Sequence, residues 1–522
     1  MSETDVAIVG SGATGTLLAA RLAAKGLKVV ILEGGPNRIP AQLISSTVWS
    51  RRLKWAGPQV RLAGDEPLPF PFEAGWGRGG SALHHYACWF RLHREDFGIA
   101  SLHGVGRDWP MHYEDLRPYY DTLQREIGVS GDAEREVWRP PGDPYPMPPQ
   151  PVYRQAELIS RGFERRGLRV APLPMAINSV PYNGRPACIQ DGWCDAGCPT
   201  GALANPIAIF AEALERTGVK TLYRAAVTRL VSDASGHRVQ AVEYFDSHGQ
   251  RHALRAHVVI LAAFAVQNPR ILLNSSSSQH PAGVANSSGL VGRCLMSHGA
   301  VNLYGMFDEP TENHLGRTGG QLFSQEHYRT GKPGPFEPGY TLRIGNALKL
   351  GDIGGIANAR ADLYGAALTD FMRRAAVNLG TMSALCDSLP SVSNRVELSS
   401  EKDAHGAALA RVVHSFDDET RRTIVAATEE GKKLLQDAGA REVWAAPPRT
   451  EHLMGGTLMG TDRARSVTNG YGQTHDVENL FIAGPGLFPT SGAVNPTFTA
   501  LALAARSADY ILAQWTGLRA AA

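Results

Sequence analysis

Residues 5–33 constrain the fold of this chain more than any other stretch. Residues 6–9 form a short apolar run that reads as a parallel strand. Gly10-Ser11-Gly12-Ala13-Thr14-Gly15 follows, and a helix is predicted through about residue 25. Residues 28–32 read as a second strand, ending at Glu33. This is GxGxxG between a strand and a helix, the setting in which the motif binds dinucleotides. Gly10 permits the tight turn, and Gly12 lets backbone approach a pyrophosphate whose charge meets the helix N-terminus. Gly15 allows close helix–strand packing, and Glu33 can accept ribose hydroxyls. These residues alone leave FAD and NAD both open.

A chain of 522 residues is too long for one simple core, so two or three subdomains are expected. Hydrophobic content of 43% and charged content of 20% are ordinary for a globular protein. The net charge of +2 predicts neither nucleic-acid binding nor membrane steering. No apolar run approaches the ~20 residues that span a bilayer. Strand-like residues begin at Asp5, so no signal peptide is expected. By its own sequence the chain is expected to be cytoplasmic, unless a partner carries it elsewhere.

Three of the six cysteines, Cys188, Cys194 and Cys198, fall in CIQDGWCDAGCPTGA. The last precedes Pro199, like the C-x3-C-P end of cluster-binding ferredoxin runs. A nucleotide fingerprint with such a cysteine run suggests two redox centres in series, hence a dehydrogenase that exports electrons. A structural zinc or a redox-inactive loop is the alternative. Cys88, Cys294 and Cys386 are scattered and read as buried small hydrophobes.

A second glycine cluster, residues 75–80 in AGWGRGGSALHHYACWF, suggests close backbone approach to a flat ligand. Near the end come EHLMGGTLMG (451–460) and SGAVNPTFTALALAARSAD (491–509), the latter a loop running into an amphipathic helix. Between them residues 479–484 read as a strand entering a turn at Gly484. This is how a doubly wound flavin domain closes over its cofactor. His452 can act as a base near neutral pH, and Asn495 can donate a hydrogen bond to an alkoxide. His475, in a turn-like stretch, is assigned no role.

With these motifs in this order the chain resembles the glucose–methanol–choline (GMC) oxidoreductases. The likeness spans essentially the whole length: VAIVGSGATG, the GRGGS loop, GVGRDWPMHYEDLRPYY (104–120), ANSSGLVGRCLMSH (285–298), HLMGGTLMG and VNPTFT. Within the family it looks most like the catalytic subunit of bacterial FAD-dependent glucose, gluconate and fructose dehydrogenases. Those subunits bear a three-iron cluster on C-x5-C-x3-C-P, the spacing of Cys188, Cys194 and Cys198 here.

The resemblance implies an α/β fold: a Rossmann-like FAD domain and a substrate domain with a mainly antiparallel sheet. The FAD domain would comprise residues 1–110, 185–305 and 450–522. The substrate domain would be 306–449, with 111–184 a connecting region that leads to the cysteine loop 188–198. FAD would be held by Gly10, Gly12, Gly15, Glu33, Gly79, Gly80, His84 and Gly484. His84 falls where some members link covalently to the flavin.

The family's catalytic pair falls on His452 and Asn495. His452 would take the hydroxyl proton while hydride passes from the carbinol carbon to flavin N5. Electrons would then leave through a 3Fe-4S cluster to an external acceptor. A small companion subunit and a cytochrome c acceptor are implied, which would carry the chain to the periplasm or membrane. The alternatives are an oxidase returning electrons to dioxygen and, in another class, a non-catalytic flavin-binding protein. One departure stands out: Thr450 and Glu451 replace the polar amides that precede the catalytic histidine in the close sugar dehydrogenases. A carboxylate there is expected to alter substrate hydrogen bonding and to raise the basicity of His452. The substrate is left open among sugars, glycosides, polyols and other alcohols.

Overall fold

A computed structural model describes residues 3–520 except 55–56, 69–73 and 329–337. The amino-terminal strand Glu3–Val9 is buried along its second half, with Val6, Ala7 and Ile8 wholly inaccessible. Apolar residues on both faces suit a parallel strand covered on both sides. It pairs in parallel with Val29–Glu33 on one side and Arg251–Leu261 on the other. Lys220–Tyr223 extends the first edge, and Leu480–Ile482 lies beside the end of Arg251–Leu261. The hairpin Ala226–Ser232 and Val239–Phe245 completes the sheet in antiparallel fashion.

The register brings the strand ends into line. Val9 sits opposite Leu32 and Leu261, and Leu261 opposite Ile482. In a doubly wound sheet ligands bind beyond this carboxyl edge. Two helices back the sheet: Ala13–Ala23, and Thr497–Ala513 near the other end of the chain. Both are rich in alanine, which lets the two backbones approach closely, and most of their residues are buried.

The second sheet is antiparallel throughout. Its order is Glu442–Ala445, Met296–Met306, Leu379–Cys386, Tyr340–Ile344, Leu322–Ser324 and Ala171–Pro172. Arg449–Met454 pairs with the first half of Met296–Met306. Helices Asp418–Asp437 and Arg154–Arg165 cover one face through a core that includes Ile159, Phe163, Leu303, Leu342, Ala427 and Leu434. A three-stranded sheet, Arg395–Lys402, Ala408–Val413 and Val60–Ala63, lies alongside.

The fold is thus the α/β class expected, a Rossmann-like unit joined to a mainly antiparallel one. Sheet membership differs in detail from the expected segments. Met296–Met306 and Arg449–Met454 belong to the antiparallel sheet, although they lie at the margins of segments expected in the FAD domain. The reason is that the long strand from Met296 runs straight on across residue 305 and carries its neighbour with it. Among the described residues no helix is long and apolar enough to cross a membrane.

Candidate active site

A cavity of about 900 Å3 opens at the carboxyl edge of the parallel sheet and runs to the bulged strand of the antiparallel one. Gly10, Gly12, Glu33, Gly80, His84 and Gly484 line one part of it; Thr450, Glu451, His452 and Asn495 line another. Gly10 has φ +105°, and a Cβ there would stand 2.6 Å from the Ala262 carbonyl oxygen. A Cβ at Gly15 would stand 2.2 Å from the Gly10 carbonyl oxygen, so helix and turn touch as the fingerprint requires. Gly12, at the N-cap of Ala13–Ala23, has nothing within 4 Å of its Cβ position: the cradle beside the helix N-terminus is open. Gly79 does not line the cavity. Its N–H donates to the Ser11 carbonyl oxygen (3.1 Å), tying the two glycine loops together.

Glu33 is buried and already fully engaged. Its Oε2 accepts from Ser11 N–H (2.9 Å) and Ser11 Oγ (2.7 Å), and its Oε1 from Gly35 N–H (2.9 Å) and Gly77 N–H (3.1 Å). A carboxylate offers about four lone-pair sites. A ribose hydroxyl therefore reaches Glu33 only by displacing one of these donors, most simply the Ser11 hydroxyl. The residue acts first as the post that joins both glycine loops. His84 is buried, and its Nε2 has no hydrogen-bond partner in the protein. An unsatisfied buried ring nitrogen on the cavity wall is a group that awaits a ligand. An open glycine cradle, a helix N-terminus and this nitrogen along one elongated cavity fit FAD.

The other end of the cavity is built on a register break. Glu451 pairs with His298 and Leu453 with Ser297, so His452 is the extra residue of a bulge. Its φ is +57°, a left-handed conformation unusual for a residue with a Cβ. Such strain persists where the surroundings over-determine it, as at active sites. The bulge turns the imidazole into the cavity. Asn495 Nδ2 donates to His452 Nε2 at 3.0 Å, and His298 Nδ1 lies 3.0 Å from His452 Nδ1. His298 Nε2 lies 2.7 Å from the Gly492 carbonyl oxygen.

Glu451 is nearly sealed beside this cluster, its Oε2 3.0 Å from Arg449 Nη2 and its Oε1 3.8 Å from His452 Nε2. Arg343 Nη2 reaches both of its oxygens at 3.4 Å. Burial alone would raise the Glu451 carboxyl, but Arg449 and Arg343 outweigh it and hold it well below the usual carboxylate range. The expected rise in His452 basicity is corrected here. Burial pushes its pKa down to about 3; Glu451 pulls upward, but His298, Arg343 and Arg449 add to the drop. His298 is likewise pushed down by burial, to about 4. Both rings are neutral at neutral pH. His298 and Arg343 were not singled out in the sequence. Each lies more than 100 residues from its partner, and no local spacing signals either.

Cys188, Cys194 and Cys198 lie apart from the cavity lining. Cys194 begins a short turn, Cys194–Ala196, that packs against the helix Thr47–Leu53. Cys194 is buried, and the other two are half-buried. Backbone N–H groups aim at two sulfurs: Gln190 at Cys188 Sγ (3.4 Å) and Leu203 at Cys198 Sγ (3.3 Å). The Thr200 hydroxyl is 3.4 Å from Cys198 Sγ. Arg317 is fully buried nearby; its Nη1 donates to Pro151 O and Gln190 Oε1, while Nε and Nη2 have no partner. Burial lowers its pKa, and the Cys188 and Cys194 sulfurs raise it. Among the described residues no carboxylate lies within ion-pair distance of Arg317. Nor, among them, do three His, Cys, Asp or Glu side chains converge as ligands of one metal ion. Cys88, Cys294 and Cys386 are buried, as expected, and His475, outside the cavity lining, bonds the Ser466 hydroxyl (2.8 Å).

Family models described as GMC oxidoreductase match residues 8–300 and 390–504. The chain is 31% identical to the fructose dehydrogenase large subunit of Gluconobacter japonicus, covering 98% of each chain. It is 31% identical to 2-methyl-1,2-propanediol dehydrogenase of Mycolicibacterium austroafricanum, covering 98% of this chain and 95% of that one. It is also 31% identical to 6'''-hydroxyparomomycin C oxidase of Streptomyces lividus, over 99% and 93%. Among solved structures, pyridoxine 4-oxidase from Mesorbium loti superposes with a TM-score of 0.69 at 16% identity, over 98% and 99% of the two chains. Formate oxidase from Aspergillus oryzae gives 0.69 at 15%, over 99% of each. The chain therefore belongs to the glucose–methanol–choline oxidoreductases, FAD enzymes that act on CH–OH groups.

Proposed function

We propose that this protein is a dehydrogenase that oxidises a carbinol of a sugar, glycoside or polyol to a carbonyl and passes the electrons to an external acceptor. The observation that carries the reading is the His452–Asn495 pair, 3.0 Å apart on the wall of the cavity that begins at the Gly10–Gly15 turn. Bound FAD supplies the hydride acceptor. The protein supplies the rest. His452, neutral and strained into the cavity, accepts the hydroxyl proton at Nε2. Asn495 turns its Nδ2–H from His452 to the substrate oxygen and offsets its developing charge. The ionised Glu451 is 3.8 Å from the same Nε2 and favours the imidazolium once the proton has arrived. Thr450 and Glu451 line the cavity where substrate hydroxyls would lie, and a carboxylate accepts from several of them.

Cys188, Cys194 and Cys198 would hold an iron–sulfur cluster, most simply of three irons, and such a group supplies one-electron transfer. Support comes from the donors around them. Two N–H groups and one hydroxyl surround the sulfurs, and a buried, half-satisfied guanidinium stands beside two of them. These suit anionic sulfur, although burial raises the pKa of the free Cys188 and Cys194 thiols. Residues of the wall also link the cavity to the cysteine loop. Cys88 lines the cavity and touches the Gly319 carbonyl (3.7 Å), and Thr318 bonds the Gly192 carbonyl in the cysteine loop (2.8 Å). The word "large subunit" in one relative's name supports a smaller companion chain.

A visible spectrum of anaerobically purified protein, with iron and acid-labile sulfide analysis, tests the reading. Flavin, iron and sulfide together, with iron lost in Cys194→Ser and kept in Cys294→Ser, are expected. Flavin without iron, with substrate turnover driven by dioxygen and not by a dye, would make the protein an oxidase.

A further inference from the structure

The hydrogen bonds around His452 run in one direction, and a backbone carbonyl at one end fixes it. At one end is the Gly492 carbonyl oxygen, which can only accept. His298 Nε2, 2.7 Å away, must therefore carry the hydrogen. His298 is wholly buried, and its low basicity keeps it neutral, so a ring with Nε2–H has a bare Nδ1. That Nδ1 is 3.0 Å from His452 Nδ1, which must then be the donor. His452 is neutral as well, so its Nε2 is bare. The other end agrees: Asn495 Nδ2, an amide NH2 that can only donate, lies 3.0 Å from His452 Nε2.

We propose that His298 is a positioning residue for the oxidation: its Nδ1 holds His452 in the Nδ1–H tautomer, so that the nitrogen in the cavity is always the base. This rests on His452 being the base of the proposed dehydrogenase. A free neutral imidazole exchanges between two tautomers, and in one of them Nε2 already carries a proton and cannot take the substrate's. The near-perpendicular rings, 89° apart with centroids at 5.2 Å, let the two Nδ1 atoms face edge to edge without stacking. The bulge makes this possible. Glu451 pairs with His298 in register, and the extra residue lands beside it.

The chain orients but does not conduct. When Nε2 takes a proton, the positive charge on His452 strengthens the Nδ1–H bond to neutral His298, making it a charge-assisted one. A proton passed on to His298 would need to leave through Nε2, and the Gly492 amide carbonyl is not a base. That carbonyl is itself anchored. Next to it the Ser491 hydroxyl donates to Asp387 Oδ1 (2.5 Å), and Ala493 N–H donates to Tyr328 Oη (3.2 Å), which donates to Asp96 Oδ2 (2.6 Å). His298 lies behind His452 and is not part of the cavity lining.

Two measurements on the FAD-loaded protein test this. The first uses 15N-histidine labelling and magic-angle-spinning NMR, with the His452 signals assigned by their loss in His452→Ala. The expected spectrum has His452 protonated at Nδ1 and His298 at Nε2. A His452 ring protonated at Nε2 overturns the proposal. This arm needs no substrate, so it stands or falls separately from the dehydrogenase reading. The second arm is anaerobic flavin bleaching by stopped flow in His298→Leu and His298→Asn, with a sugar or polyol that reduces the wild type. In His298→Leu the limiting rate should fall about 10- to 100-fold, a part of the roughly 10²–10⁴-fold that a general base supplies. The substrate concentration for half-maximal rate should be nearly unchanged. His298→Asn places an amide oxygen near the Nδ1 position and should recover much of the rate. A limiting rate within twofold of wild type in folded, flavin-loaded His298→Leu, or equal losses in both variants, overturns it.

Discussion

Arg343 Nη2 lies 3.4 Å from both carboxylate oxygens of Glu451, and both side chains are almost wholly sealed from solvent. Two further nitrogens of Arg343, Nε and Nη1, have no partner. The guanidinium thus depends on Glu451 for most of its compensation. Glu451→Gln leaves the buried positive charge of Arg343 facing an amide oxygen in place of a carboxylate. The variant should unfold at a lower temperature, having lost about 1–3 kcal/mol, and calorimetry on both proteins measures it. It should also change the ranking of substrates, because the cavity loses a strong acceptor. An unchanged melting temperature would show that the pair contributes nothing to the fold.

Removal of His452 should leave the flavin in place and slow its reduction. His452→Ala is expected to lose roughly 10²–10⁴-fold in the rate of anaerobic bleaching. Asn495→Ala should lose less, since it removes one hydrogen bond to the substrate oxygen. The pH dependence has a definite sign. The base works deprotonated, and burial holds its pKa near about 3 in the free enzyme. Limiting bleaching should therefore be flat from about pH 5 upward and fall only toward the acid end. A rate that climbs through pH 6.5, the ordinary histidine value, would show that the ring is not desolvated as described.

How much of this was legible in the sequence depends on distance along the chain. Gly10, Gly12, Gly15 and Glu33 lie within one strand–turn–helix–strand unit, so local spacing places Gly10, Gly12 and Glu33 at the cavity and Gly15 against the turn. His452 and Asn495 came from motif likeness, and the geometry then set them 3.0 Å apart. The bulge was not legible, because a register break exists only between paired strands. With it His298 and Arg343 stayed hidden: His298 is 154 residues from His452, and Arg343 is 108 from Glu451. The sign of the His452 shift was misjudged for a related reason. Sequence shows the neighbouring Glu451, but it does not show the burial that outweighs it, or His298 and Arg343, which add to the drop. Glu33 differs again: the local pattern names the residue, yet its bond to Gly77 N–H comes from a loop 44 residues away.

His84 should matter for flavin retention. Its Nε2 is buried on the cavity wall without a partner, so a bound flavin is the natural group to satisfy it. His84→Ala should be purified with less FAD than wild type. Acid precipitation then reports the kind of bond: yellow in the wild-type pellet marks a covalent link, and yellow in the supernatant a hydrogen bond. Equal flavin content in both proteins would leave His84 as packing alone.

Acid should unfold this protein earlier than its carboxylates alone would dictate. Four rings at the cavity or directly behind it are held neutral, chiefly by burial: His84 and His452 near about 3, His85 and His298 near about 4. In the unfolded chain each titrates near 6.5. Between these values the unfolded state binds more protons, so stability is full above about pH 6.5 and declines as pH falls toward 4. Glu136 runs the other way. Burial beside Tyr145 raises its pKa to about 7, so between about pH 4.5 and 7 the folded state holds one extra proton there. At pH 5 the five groups together favour the unfolded state by up to four protons less one, or about three. The melting temperature should thus be level from pH 7 to 8 and drop progressively from about pH 6 downward. His298→Asn removes one of the four rings and should make the decline shallower. A melting temperature that holds constant down to pH 4.5 in wild type would mean that these rings are not buried neutral, and with that the fixed tautomer of His452 would lose its basis.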